Sequence, residues 1–118
     1  MWISRPEVPG LKLSSRTELG YVVGSLSGEL DIASTPLLRE QLRDLLASSS
    51  RLILDLSAVT GADTSGLAVL VGTGHRAELL GGFLRLAAPR PPVAELLRTT
   101  GLDQKLEIFP TAQAALSR

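Results

Sequence analysis

The segment Arg51-Leu52-Ile53-Leu54-Asp55-Leu56 is the strongest constraint on how this chain can fold. It is short and almost continuously apolar, with aliphatic side chains on both alternating positions. A strand of that kind is buried on both faces, as central strands of parallel sheets are. Helical patterns lie on either side of it. Leu38, Leu42, Leu45 and Leu46 recur at helical spacing before it, with Pro36 suited to the first helical position and Thr35 placed to cap. Ser48-Ser49-Ser50 ends that helix. After it, Thr64 to Leu80 carries Leu67, Leu70, Val71, Gly74 and Ala77 on one helical face, and Gly81-Gly82 stops it.

The rest of the chain continues the alternation. Phe83 to Ala87 reads as a strand. Pro91-Pro92 opens a helix with Val93, Leu96, Leu97 and Thr100 inward and Gly101 at its C′ position. Leu106 to Phe109 is a short strand, and Thr111 caps a last helix holding Ala114, Ala115 and Leu116. Upstream, Leu11 to Ser15 alternates with period two, Glu18-Leu19-Gly20 is a turn, and Tyr21 to Ser27 is a second strand, so the two form a hairpin. Gly28 to Asp31 and Ser57 to Ala62 read as loops. The pattern predicts one α/β domain over residues 11–118, with a small mixed sheet: a hairpin, then largely parallel strands. About four helices flank it in a single layer. Residues 1–10 form an irregular lead-in, in which Trp2 is either an exposed anchor or part of a frayed terminus.

Composition narrows the chemistry. Twelve acidic residues balance twelve basic ones, and no basic run is present. Nothing in this favours nucleic acid or anionic lipid. Cysteine is absent and His75 is the only histidine, which argues against disulfides, thiol chemistry and a transition-metal site. The N-terminus has no apolar signal core, and the longest apolar run, Gly66 to Gly72, is far too short to span a bilayer. The expectation is a cytoplasmic protein with no direct membrane contact and no cofactor.

Enzyme motifs are also missing. There is no GxxxxGK[ST] loop, and Gly72-Thr73-Gly74 falls inside a predicted helix rather than after a strand. A nucleophilic triad needs a base, and His75 lies well along the helix from Ser65, on a solvent-facing side. Among the carboxylates, Asp63, Glu29 and Asp31 stand out. Each falls in a loop expected at the C-terminal edge of the sheet, where α/β proteins place their sites.

Asp63-Thr64-Ser65-Gly66 opens the long helix. Its three polar side chains can each accept from the free N–H groups of the first turn, so in isolation the run is an ordinary N-cap. A hydroxyl there is also well placed to carry phosphate, since free N–H groups and the dipole favour an anion. A phosphate brings about −1.5 to −2 charges. Asp63, and Asp31 if near, would oppose it.

Four blocks carry a resemblance. Gly28 to Asp31, Leu52 to Ser57, Asp63-Thr64-Ser65-Gly66-Leu67, and Thr99 to Leu102 followed by Leu106 to Phe109 resemble the signature of STAS domains, closest to bacterial anti-sigma factor antagonists. The similarity runs over about residues 11–117, in order and in register. It implies a small sheet flanked by helices and a non-enzymatic role: binding an anti-sigma factor that is also a serine kinase, and so freeing a sigma factor. It implies phosphorylation by that kinase at the hydroxyl after Asp63, which here is Thr64, with reversal by a PP2C-type phosphatase. Asp31 matches the family's acidic neighbour of the acceptor, and Gly66 the residue that lets a partner approach closely. The family acceptor is most often Ser. Here it is Thr, and Ser65 supplies a second hydroxyl, so which one is used stays open. On these terms the hydroxyl that caps the unmodified helix is the one that takes the charge.

The outward side of the long helix is expected to carry Ala68, Val69, Gly72, Thr73 and Arg76. Small and apolar residues there suit either a closely packed partner or tight packing on the chain's own sheet. Two other functions stay in view. STAS domains also resemble small cytoplasmic transporter subunits, in which the turn only packs on an ATPase. A hydrolase using Ser65 lacks a base.

Overall fold

The computed structural model describes residues 11–117, so Trp2 and the lead-in lie outside the described residues. The chain runs β1 (Leu11–Glu18), β2 (Tyr21–Leu30), α1 (Thr35–Ser48), β3 (Arg51–Ala62), α2 (Thr64–Leu79), β4 (Phe83–Ala87), α3 (Pro91–Thr99), a 3₁₀ turn (Leu102–Gln104), β5 (Glu107–Phe109) and α4 (Ala112–Leu116). The five strands stand in the sheet in chain order, β1-β2-β3-β4-β5. β1 and β2 are antiparallel, and every later neighbour pair is parallel. The mixed α/β architecture expected from the alternation is the one observed.

Two faces of the sheet carry two cores. Strands β2 to β5 step in one direction, and right-handed crossovers then put α1, α2 and α3 on one face. Leu38, Leu42 and Leu46 of α1, Leu67 and Leu70 of α2, and Val93 and Leu97 of α3 pack there on Leu26, Leu52, Leu54, Leu56 and Leu86. The opposite face holds Tyr21, Val23, Ile53, Ala87 and Phe109 beneath Ala115 and Leu116 of α4. The expected single helical layer is therefore corrected. Ile53 projects to the second face and is fully buried there, and the last helix returns across the sheet to cover it. Leu52 and Leu54 are buried on the first face, as the double-sided apolar reading of β3 required.

Several local expectations are corrected as well. Gly28 to Leu30 and Ser57 to Ala62 are strand rather than loop, because they pair with each other: Gly28 faces Val59 and Leu30 faces Ala62. The pairing passes two irregularities at which β3 carries an extra residue, from Ser25–Asp55 to Ser27–Ala58 and from Gly28–Val59 to Glu29–Gly61. Bulges of this kind break side-chain alternation and sharpen the twist, which hides the strand in the sequence. Thr35 does not cap α1. The cap position is Ser34, and the Thr35 hydroxyl donates to the Ile32 carbonyl. Thr100 is exposed, its hydroxyl donating back to the Leu96 carbonyl.

Candidate functional site

The parallel register brings two loops together at the C-terminal edge of the sheet. Leu30 and Ala62 are paired residues at the ends of β2 and β3. Asp31 therefore leaves the sheet beside the residue that precedes Asp63. Two hydrogen bonds seal the junction. The Asp63 N–H donates to the Leu30 carbonyl at 2.9 Å. One Asp63 carboxylate oxygen, Oδ2, accepts from the Ile32 N–H at 3.1 Å.

The other oxygen, Oδ1, accepts from the Gly66 N–H at 3.0 Å, which makes Asp63 the N-cap of α2. A cap of this type is worth about 1 kcal/mol. Both carboxylate oxygens are thus committed to backbone donors. The Thr64 and Ser65 hydroxyls make no hydrogen bond among the described residues, so they do not cap, contrary to the sequence expectation. The reason is geometric. Asp63 has extended backbone, with φ −118° and ψ 178°, as a residue in the N-cap position does. Thr64 is already the first helical residue, exposed, and Ser65 is half-buried.

Gly66 is buried against the chain itself. A Cβ on it would stand 2.1 Å from the Leu30 carbonyl oxygen. This corrects the expectation that it makes room for a partner: the missing side chain lets α2 lie against the end of β2. Val69 and Thr73 are also inward, at 6% and 8% exposure, and the Thr73 hydroxyl donates to the Val69 carbonyl at 2.8 Å. The outer surface of α2 is instead Thr64, Ala68, Gly72 and Arg76, all exposed and four residues apart, which places them along one helical line.

Asp31 organises its own loop. Its Oδ1 accepts from the Ser34 N–H at 3.0 Å, and the buried Ser34 hydroxyl accepts from the Asp31 N–H at 3.0 Å. The same hydroxyl lies 3.1 Å from the Glu29 carbonyl, to which it donates. Ser34 was not singled out in the sequence, although the Asp-x-x-Ser spacing is a signature of such a turn. Ile32 was missed too. It is 71% exposed, an apolar side chain at the rim of the site whose N–H is fixed by Asp63. His75 is exposed on α2, eleven residues past Thr64. Ten residues of helix put about 15 Å between it and Ser65, too far for a nucleophile and its base.

Comparison with known proteins bears on this arrangement. Residues 12–115 match the family model described as STAS domain. The chain is 34% identical over 92 residues to the anti-sigma-B factor antagonist of Bacillus subtilis, covering 78% of this chain and 84% of that protein. It is 28% identical over 109 residues to the anti-sigma F factor antagonist of Paenibacillus polymyxa, covering 91% and 93%. Its fold superposes on an anti-sigma factor antagonist from Mycobacterium paratuberculosis with a TM-score of 0.84 at 29% identity, over 98% of this chain and 97% of that one. A five-stranded sheet with a hairpin and parallel strands, an Asp-capped turn at its C-terminal edge and a family match over nearly the whole length agree, and the chain belongs to the STAS domain family.

Proposed function

We propose that this chain is an anti-sigma factor antagonist that works in the cytoplasm and needs no cofactor. In the unmodified state it binds an anti-sigma factor of the serine-kinase type, which releases a sigma factor. That kinase phosphorylates Thr64, binding is lost, and a PP2C-type phosphatase restores it. The antagonist part is supported by the names its relatives carry. The switch rests on one observation: Thr64 presents an exposed, unbonded hydroxyl residue at the start of a helix whose cap is supplied by its neighbour. Modifying Thr64 therefore leaves the cap in place. The fold tolerates the phosphate, and the cost falls on the complex.

The size of that cost is modest by requirement. Each 1.4 kcal/mol is tenfold in affinity. A phosphate of about −1.5 to −2 charges beside Asp63, pressed into a surface matched to a neutral hydroxyl, exceeds that. No helix among the described residues is long and apolar enough to cross a membrane.

The test is to incubate the chain with its cognate kinase and ATP, then map the modification by mass spectrometry. Phosphate on Thr64 is the expected result, and T64D should weaken the complex by about tenfold or more. Phosphate on Ser65 alone would move the switch by one residue. No phosphate on either, or a pulldown that returns a permease-associated ATPase instead of an anti-sigma factor, overturns the proposal.

A further inference from the structure

On the helical side of the sheet α1 packs beside α2, and a groove of about 360 Å³ runs between them. Its rim holds three guanidinium groups, Arg39 and Arg43 from α1 and Arg76 from α2. None of them has an ion pair or hydrogen bond among the described residues, whose ion pairs are Arg16–Glu18, Arg85–Glu107 and Arg98–Glu95. Glu40 and Asp44 follow the two α1 arginines by one residue, about 100° around the helix, and do not line the groove. In a chain whose charges balance overall, the groove is lined by three arginines and no carboxylate.

The floor is mostly apolar. Val69 lies in it, Leu79 closes one end at 74% exposure, and Gly72 sits between them. A Cβ on Gly72 would meet nothing within 4 Å. Glycine inside a helix destabilises it relative to alanine, and nothing inside the chain requires one here. The absent side chain lets something from outside come close to the α2 backbone.

We infer that the α1–α2 groove is a docking surface for an acidic amphipathic helix of a protein partner. The apolar stripe of that helix lies over Ala68, Gly72 and Leu79. Carboxylates one turn apart meet Arg39 and Arg43, which are themselves one turn apart, while Arg76 closes the opposite side. The span from Ala68 to Leu79 is about 16 Å, which accommodates about three turns of helix. The inference rests on the chain acting by binding a protein, and it is independent of modification at Thr64.

The test uses a helix-stapled peptide of about 14 residues, with Leu along one face and Glu at i and i+4 on the flanks. The same peptide with Lys for Glu and vesicles of phosphatidylglycerol serve as comparisons. With isotope-labelled chain, the Glu peptide should shift the amide signals of Ala68 and Gly72. It should bind about tenfold more tightly than the Lys peptide and weaken as salt rises from about 50 to about 300 mM. R39A/R43A should lose about tenfold in affinity. G72A should raise the Tm by about 4 °C while weakening the peptide about fivefold or more, a combination that a purely structural glycine would not give. Equal binding of the two peptides, unchanged affinity in G72A, vesicles that displace the peptide, or a groove closed by a second copy in sedimentation would each overturn the inference. The phosphorylation map reads Thr64 and this experiment reads the groove, so either can fail without the other.

Discussion

A Cβ on Gly66 would stand 2.1 Å from a backbone oxygen and 2.5 Å from the carbonyl carbon of Leu30. Backbone cannot swing aside as a side chain can, so G66A should cost about 3 kcal/mol or more in urea unfolding, or prevent folding outright. Asp63 can be dissected more finely. D63A removes both the cap on Gly66 and the acceptor for the Ile32 N–H, and should cost about 2 kcal/mol. D63N can keep the cap through its amide oxygen but has one acceptor atom instead of two. It should cost about half as much, and equal losses in the two variants would show that the cap on Gly66 carries no weight. The sequence made Asp63 legible because cap chemistry is local. The role of Gly66 was not legible, since it depends on a strand end thirty-six residues upstream in the chain.

The elements show the same division between local and distant causes. In the β1–β2 hairpin, Leu19 and Gly20 have φ of 54° and 83°, as two-residue turns joining right-twisted strands require. Gly20 adopts this freely, whereas Leu19 does so at a cost while 76% exposed. L19N should therefore stabilise the chain by about 1 kcal/mol, read as a rise in the denaturant midpoint with unchanged slope. The elements themselves were legible where one period ruled: α1, α3 and the apolar half of β3. They blurred where a second packing partner intervened. α2 touches the sheet on one side and α1 on another, so Val69 and Thr73 are buried off the stripe defined by Leu67, Leu70 and Ala77. The second half of β3, with Ser57, Ala58 and Thr60 exposed, has no apolar alternation to reveal it. Its pairing with β2 is the evidence that it is strand.

At the scale of the whole molecule, Arg85 ties the second face of the sheet together. Its guanidinium lies 4.1 Å from the centre of the Phe83 ring and 5.5 Å from that of Phe109, and Nη1 donates to the Ala115 carbonyl of α4 at 2.8 Å. A five-residue helix has little hold of its own, so this bond and the Ala115 and Leu116 contacts keep it in place. R85A should cost about 2 kcal/mol in thermal or urea unfolding. R85K should recover less than half of that, because an ammonium lacks the planar fork. The length of α4, Ala112–Leu116, is why sequence periodicity could name it but not assign it to a face. The chain order of the strands has a further consequence, for the route by which the molecule forms. Every strand finds its neighbour in the segment made just before it. On a ribosome the sheet can extend in the order of synthesis, each new strand closing the edge left by the last, and no strand waits for a distant partner. The loops that must close are shorter than in a sheet whose strands pair out of order, although each parallel pairing still spans a crossover of 22 to 32 residues. Refolding from urea should follow a single main exponential, and a permuted chain in which β1 and β2 come last should fold more slowly to the same sheet.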